Sequence, residues 1–186
     1  SRKVKSMVGM VPQLLLLSRA DQGRERLTLE ELDLSELSEM EAETFAEIAQ
    51  QQGVELTAEI QPDVFVTADQ TLLLRLWGNL LQNALTYGNS GGHIRMGLKT
   101  QGNKVLLTVA DDGAGIAPEH LERIWDRFYQ ADPSRSGDSS GLGLSMVKWI
   151  AQAHGGEARV KSTVGKGTTF TVKLPASGPQ KSSEKQ

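Results

Sequence analysis

The stretch Val105-Leu-Leu-Thr-Val-Ala-Asp-Asp-Gly-Ala-Gly-Ile116 joins a strand pattern to a glycine-rich loop. Val105, Leu107 and Val109 share one parity, which is typical of a strand with one buried face. The same parity places Asp111 on the buried face, where a carboxylate needs a hydrogen-bond donor. The two glycines that follow allow backbone to pass close to a flat ligand. A tight turn between a strand and a helix is the alternative interpretation of this loop.

Outward from this stretch, the residue pattern predicts helices that are interspersed with strands. Helices are predicted over about 36–52, 70–87 and 142–154, with a short one from Pro118 to about Trp125. Strands are predicted near 54–58, 64–66, 92–100, 103–111, 157–163 and 167–174, and 29–34 is predicted to be an extended link. This order favours an α+β fold, a two-layer α/β sandwich in which helices cover one face of a mixed, mostly antiparallel sheet.

Composition excludes several classes of function. The chain has 186 residues, a formal net charge of −3 and no cysteine. A disulfide framework, a thiolate zinc site and a cysteine nucleophile are therefore excluded, and no nucleic-acid surface is expected. The longest apolar stretch, Met7 to Leu17, is too short to span a bilayer. We expect this piece of chain to be soluble and intracellular.

The pattern divides the chain into three parts. In residues 1–28, Met7, Met10, Leu14 and Leu17 recur at the spacing of a helical-bundle seam, although Pro12 would kink the helix. Residues 29–176 form the predicted folded domain. The polar residues 177–186 are predicted to be a disordered tail.

Glycine is distributed unevenly along the chain. Of the 19 glycines, only Gly9, Gly23, Gly53 and Gly78 precede residue 88. Glycine is useful where backbone turns sharply or approaches a ligand. The second half of the chain is therefore predicted to hold many turns or a ligand cradle.

Asn79 and Asn83 lie four residues apart among the leucines of the helix predicted over 70–87, so they share one face of it. Amide oxygens suit a hard cation such as Mg²⁺ that shares its shell with substrate phosphates. A pair of solvated amides is the alternative interpretation.

Two further glycine-rich segments occur later. Ser139-Ser-Gly-Leu-Gly-Leu-Ser145 opens the helix predicted over 142–154, where free backbone N–H groups favour phosphate. An ordinary helix start after a loop is the alternative interpretation. Gly165-Lys-Gly-Thr-Thr-Phe170 is predicted to be a hairpin turn. It enters a strand on which Thr168 shares the inward parity of Phe170, so its hydroxyl is placed to reach the same pocket as Asp111.

Taken together, the order and spacing of these segments resemble the ATP-binding catalytic domain of bacterial sensor histidine kinases, within the superfamily of gyrase-like ATPases. The resemblance covers about residues 30–175, and residues 1–28 resemble the end of the second helix of the dimerisation bundle. The matching motifs are the N box (79–87), the first glycine box (111–116), the F box (124–129), the second glycine box (141–148) and the last glycine box (165–170). The resemblance implies a Bergerat-type ATP-binding fold.

The resemblance also implies roles for individual residues. Asp111 would accept the adenine amino group, Asn83 would hold Mg²⁺, and Asn79 would lie near the phosphates. Residues of about 126–140 would form the ATP lid, with Phe128 as an anchor that packs differently with and without nucleotide; a plain core aromatic is the alternative for Phe128. The full set of implied nucleotide-binding residues is Asn79, Asn83, Tyr87, Asp111, Gly113, Gly115, Ile116, Arg127, Phe128, Gly141, Leu142, Gly143, Leu144 and Thr168.

The chain departs from the family pattern at several positions. The family's phosphoacceptor histidine is followed by an acidic residue and later a proline, and none of His93, His120 and His154 has that context. A surface or structural role is expected for each. Thr86 stands where the family usually has Lys or Arg, and Gln130 where an Arg often follows the Phe-Tyr pair. Lys148 and Arg127 are candidates to compensate.

Asp112 replaces the commoner Asn and is expected to face solvent. No single residue is assigned as a certain catalytic group.

The residue at the first N-box position separates a kinase from a hydrolase. Gyrase-type relatives carry a glutamate there as the base that activates water, whereas this chain has Asn79, whose amide takes no proton at neutral pH. The resemblance therefore favours transfer of the γ-phosphate of Mg-ATP to a histidine outside this chain. A gyrase-type ATPase or clamp and a nucleotide-binding pseudokinase are the alternatives.

The resemblance implies partners and a location as well. The expected partners are the dimerisation helices of the same protein and the receiver domain of a response regulator. The longer protein is expected to be membrane-associated, with this portion in the cytoplasm.

Overall fold

The computed structural model describes residues 12–89, 91–131 and 141–179. Twelve regular elements follow one another in these ranges. The helices are α1 (Gln13–Asp21), α2 (Leu34–Gln51), α3 (Gln70–Tyr87), α4 (Pro118–Leu121) and α5 (Gly143–Ala153). The strands are β1 (Glu30–Asp33), β2 (Glu55–Ile60), β3 (Phe65–Ala68), β4 (His93–Gln101), β5 (Lys104–Asp111), β6 (Glu157–Thr163) and β7 (Gly167–Pro175).

The main sheet has five strands in the order β2-β4-β5-β7-β6. The pairs β4–β5, β5–β7 and β6–β7 are antiparallel, while β2 and β4 are parallel. The parallel pair follows from the connection, because α3 lies between β2 and β4 in the chain and parallel neighbours need such a crossover. The predicted α+β sandwich with a mixed, mostly antiparallel sheet is confirmed.

One face of this sheet is buried, as the strand parities predicted. The inward residues of β4, β5 and β7 are all nearly inaccessible: Ile94, Met96, Leu98, Val105, Leu107, Val109, Phe170, Val172 and Leu174. Helices α2, α3 and α5 lie over the sheet, and α3 and α5 also pack against each other. Trp77 of α3 is fully buried, and its indole N–H donates to the Ser38 hydroxyl of α2 at 3.0 Å.

Helix α3, which carries the N box, is fixed at its start by Asp69. The Asp69 carboxylate accepts the Leu72 N–H at 3.1 Å and the Thr28 N–H at 2.9 Å. The Asp69 N–H in turn donates to Nε2 of His154, a buried side chain whose Nδ1 lies 2.7 Å from the Ile150 carbonyl oxygen. His154 therefore has the structural role that was expected for it.

Two local predictions are corrected. The extended link near 29–34 is strand β1, which pairs with β3 in a separate antiparallel sheet. Helix α4 ends at Leu121 rather than near Trp125, and turns continue the chain. Pro12 directly precedes the first residue of α1, and its predicted effect on the helix before it stays a prediction.

Several predictions lie outside the described residues. These are the helix before residue 12, the lid segment 132–140 and the tail from 180 onward. Within the described ranges, no helix combines the length and apolar character needed to cross a bilayer.

Candidate nucleotide site

Asp111 ends strand β5 and is only partly exposed. It lies opposite Thr168 in the β5–β7 ladder and opposite Ile94 in the β4–β5 ladder. Its Oδ1 accepts the Gly113 N–H at 2.9 Å. Burial raises the pKa of the Asp111 carboxyl and the neighbouring charge of Asp112 adds to this, while hydrogen bonds from the Gly113 and Thr168 backbone oppose the rise. A half-buried acceptor with spare lone pairs is thus present where the strand parity predicted it.

Gly113 closes the loop tightly against the end of helix α3. A Cβ at Gly113 would lie 2.8 Å from the Tyr87 carbonyl oxygen and 2.9 Å from Asp111 Oδ1. Any other residue would push the loop away from α3 or displace the Asp111 carboxylate. Tyr87, expected near the nucleotide, therefore borders the first glycine box through its backbone.

The first and last glycine boxes form one backbone unit. The Gly165 N–H donates to the Ala114 carbonyl at 2.8 Å. Gly115 has φ +77°, and a Cβ there would overlap the backbone of Thr163 at the end of β6. A Cβ on Gly167 would overlap the Asp111 carbonyl. Both boxes need glycine because their backbones touch.

Ser162 of β6 is the residue that sequence reasoning missed in this region. Its Oγ accepts the Ile116 N–H at 2.7 Å, donates to the Gly167 carbonyl at 3.1 Å and is hydrogen-bonded to the Thr168 hydroxyl at 2.8 Å. Thr168 thus lies beside Asp111 as expected, but its hydroxyl contacts Ser162. The signal was available in β6, where Ser162 is a polar residue that continues the parity of Ala158 and Val160.

Asp112 fixes the loop to the start of β4. It faces solvent in part, as expected, and accepts from His93 twice, at 2.8 Å from the backbone N–H and at 2.9 Å from Nδ1. These hydrogen bonds lower the pKa of the Asp112 carboxyl. Glu55 of β2 lies 3.6 Å from His93 Nε2 on the other side of the ring. His93 therefore connects three segments at this edge of the sheet.

Asn79 and Asn83 lie four residues apart on one side of helix α3, and Asn79 lies across from the second glycine box. A Cβ on Gly143, the first residue of α5, would be 3.6 Å from Asn79 Oδ1. Leu142 precedes the helix and is buried, while Leu144 is half-buried. The Asn79 amide donates to Gln13 Oε1 at 2.7 Å.

Gly141 shapes the base of the predicted lid. Its φ is +72°, and a Cβ there would come within 2.7 Å of Phe128 Cα. The Phe128 N–H donates to the Gly141 carbonyl at 2.9 Å, and Phe128 itself has φ +64° with 60% of its surface exposed. The alternative of Phe128 as a core aromatic is therefore wrong for this conformation, and its role as an anchor stays a prediction.

Arg127 lies beside Phe128 but binds helix α1. Its guanidinium contacts both carboxylate oxygens of Asp21, each at 2.7 Å. Thr86 is half-buried, and its hydroxyl donates to the Gln82 carbonyl at 2.9 Å. The expected compensation for missing phosphate contacts stays a prediction for Arg127 and Lys148.

The side chains available as ligands show whether this chain could hold a magnesium ion. Across residues 12–89, 91–131 and 141–179, no group of three or more His, Asp or Glu side chains is placed to hold a metal. Asn83 is half-buried and its amide makes no hydrogen bond to any described residue. An amide oxygen is a hard ligand that suits Mg²⁺ when phosphates and water supply the rest of the shell. Asn83 therefore suits a magnesium ion whose other ligands are phosphate oxygens and water.

Both a family model and individual sequence relatives match this chain. Residues 68–178 match the family model described as histidine kinase-, DNA gyrase B-, and HSP90-like ATPase. The chain is 37% identical over 170 residues to the sensor-like histidine kinase SenX3 of Mycobacterium tuberculosis, covering 90% of this chain and 41% of that protein. It is 38% identical over 172 residues to the sensor histidine kinase CusS of Escherichia coli K12, covering 91% of this chain and 35% of that protein.

Solved structures of histidine kinases also superpose on this chain. The catalytic domain of histidine kinase ThkA superposes with a TM-score of 0.72 at 26% identity, covering 81% of this chain and 97% of that one. Full-length ShkA in complex with AMPPNP gives a TM-score of 0.73 at 28% identity, covering 84% of this chain and 33% of that one. This chain thus spans well under half of SenX3 and CusS. It belongs to the family of histidine kinase-, DNA gyrase B- and HSP90-like ATPases and carries an ATPase domain of the sensor histidine kinase type.

Proposed function

We propose that this chain binds Mg-ATP and donates the γ-phosphate to a histidine on the dimerisation helices of a two-component sensor kinase. The observation that carries the proposal is the arrangement of the site. A half-buried Asp111 inside a close-packed glycine loop lies at one end, and Asn79, Asn83 and the start of α5 lie at the other.

At the first end, Asp111 is proposed to accept the amino group of adenine. Its Oδ1 already accepts the Gly113 N–H, and a carboxylate oxygen offers further lone pairs. Gly113, Gly115 and Ile116 shape the wall beside the base, because their backbones are held against Tyr87, Thr163 and Ser162. Because Gly113 and Gly115 have no side chains, the space beside the base stays open.

At the second end, Asn83 is proposed to hold Mg²⁺ and Asn79 to contact the phosphates. The backbone from Gly141 to Leu144 leads into α5, whose first N–H groups have no partner within the helix and favour an anion. When bound, Mg²⁺ neutralises charge on the phosphates, while the protein's part in phosphoryl transfer is mostly positioning.

Transfer rather than hydrolysis is favoured by the side chain at position 79. An amide cannot take a proton from water, so no general base is supplied there. The side chain is also hydrogen-bonded to Gln13, an amide as well. A clamp-type ATPase therefore lacks its activating base at this position.

The acceptor is proposed to lie outside this chain because its three histidines all have other contacts. His93 is bound by Asp112, His120 contacts the Tyr129 hydroxyl, and His154 is buried with both ring nitrogens in contact with backbone groups. We propose that the acceptor is on the bundle helices to which α1 belongs. The next acceptor is proposed to be a response-regulator receiver domain. The longer protein is proposed to be membrane-associated, with this domain in the cytoplasm.

The test is a transfer assay with γ-labelled ATP and Mg²⁺, in which this chain is mixed with a bundle fragment of the longer protein that carries its histidine. Label on that histidine is the expected result. Free phosphate released without any acceptor would instead identify a hydrolase. Nucleotide binding without labelled histidine and without free phosphate would identify a pseudokinase. Thr86 and Gln130, which depart from the basic residues of the family pattern, would then be the first positions to change back.

A further inference from the structure

Helix α1 packs directly on the catalytic domain through one side. Leu16 and Leu17 are buried in the common core, and α1 contacts α5. Leu14 and Leu15, near the start of the helix, stay exposed by 48% and 43%. The domain therefore has a surface that fits this amphipathic helix.

The polar contacts of α1 fall on two residues of the candidate site. Gln13, the first residue of α1, accepts the Asn79 amide N–H at 2.7 Å. Asp21, the last residue of α1, binds the Arg127 guanidinium through two contacts of 2.7 Å. Arg127 also approaches the Leu17 carbonyl at 3.5 Å. One end of the helix is thus bound to Asn79, the proposed phosphate contact, and the other to Arg127, the candidate to compensate for missing phosphate contacts.

These contacts engage polar groups of the kind that can bind a phosphate. The Asn79 amide donates one N–H to Gln13, and the planar guanidinium of Arg127 is matched to a carboxylate in the fork geometry that also recognises phosphate. While Asp21 occupies the fork, the positive charge of Arg127 is neutralised for any incoming anion.

We propose that α1 and the nucleotide phosphates compete for Asn79 and Arg127, so that docking of α1 weakens nucleotide binding and bound nucleotide loosens α1. This inference rests on the proposed function, since it requires nucleotide at this site. Because coupling between two ligands is reciprocal, both effects have the same size. Movement of the bundle helix would then change the nucleotide affinity of the domain.

The test compares the binding of AMPPNP in Mg²⁺ to the unmodified chain and to Asp21→Ala and Gln13→Ala, by calorimetry. Asp21 is 60% exposed, so its removal leaves the core intact. We expect each variant to bind about two- to fivefold more tightly, the range of an exposed ion pair or hydrogen bond. Glu25→Gln is the matched control. Among the residues that the structure describes, Glu25 pairs with Arg19 of the same segment, so its loss should leave affinity unchanged.

Hydrogen exchange gives the reciprocal readout. Amides of residues 13–21 should exchange faster when AMPPNP is bound to the unmodified chain. Equal or weaker affinity in both variants, or slower exchange in α1, would overturn the competition. Absence of binding in every variant, the control included, would instead overturn the nucleotide site itself and the competition with it.

Discussion

The two ends of the candidate site are built differently. The proposed adenine end is made of backbone: Gly113, Gly115 and Gly167 leave no room for a side chain, and Ser162 links three segments. The phosphate end is made of side chains, and two of them, Asn79 and Arg127, contact α1. Backbone packing thus fixes the first end, whereas side chains that can change partners form the second end.

The largest expected effect is at the adenine end. Asp111→Asn should weaken nucleotide binding by about 10- to 100-fold, because a charged hydrogen bond contributes roughly 1.5–3 kcal/mol and an amide presents a donor to a donor. Calorimetry measures the loss. Asp112→Asn is the matched control, since an amide oxygen still accepts from His93 and the change should stay within about threefold. Unchanged affinity in Asp111→Asn would contradict the assignment.

The second effect concerns the backbone contact between the glycine boxes. Gly115→Ala should lower the free energy of unfolding by about 2–4 kcal/mol, because a positive φ costs about 1–2 kcal/mol and the overlap with Thr163 adds more. Urea denaturation measures it.

Gly165→Ala is the control, as Gly165 has φ +80° but nothing within 4 Å of its Cβ position. It should lose only the conformational part, about 1–2 kcal/mol. Equal losses in the two variants would show that close packing of the boxes is not needed.

A smaller effect is expected at Ser162. Ser162→Ala leaves the Ile116 N–H without its acceptor and the buried Thr168 hydroxyl without its partner, which should cost about 1–3 kcal/mol. Nucleotide affinity should fall along with stability, because Ile116 belongs to the proposed adenine wall. Thr169→Ala, on the opposite face of β7, serves as the control in the same denaturation series. A stable Ser162→Ala variant with full affinity would remove Ser162 from the site.

The smallest effect is a pH dependence. Burial raises the pKa of Asp111 above its ordinary value of 3.8, so the folded state binds this proton more tightly than the unfolded chain. Stability of the unliganded chain should therefore fall as pH rises from 3.8 through the raised pKa. Asp111→Asn should lack this component, which parallel denaturation series at several pH values would show as the difference between the two chains. Identical pH profiles would mean that the Asp111 carboxyl is as solvated in the fold as in the unfolded chain.

The geometry of the proposed adenine end was largely predictable from sequence, for a physical reason. Strand parity fixes which face a side chain takes, so Asp111 and Thr168 were placed by counting from Val109 and Phe170. A glycine in the sequence also indicates where two backbone segments can approach closely. Ser162 was missed because a polar residue at an inward strand position does not reveal its partner, which depends on the register of β6 against β7.

The phosphate end was predictable only in part. The helical spacing of Asn79 and Asn83 placed both amides on one face, but nothing local indicated that Gln13 would meet Asn79. Contacts such as Arg127 to Asp21 join residues more than 100 positions apart, so they depend on how α1 docks. The parallel pairing of β2 with β4 was likewise set by the crossover through α3.

One measurement tests the central claim most directly: amide chemical-shift mapping of the chain titrated with Mg-ADP. The account predicts that the largest shifts fall on residues 111–116, on Asn79 and Asn83, and on the first turn of α5, with none on the open sheet face around Gly97 and Thr108. Saturable shifts confined to any other surface, or none at millimolar nucleotide, would contradict it.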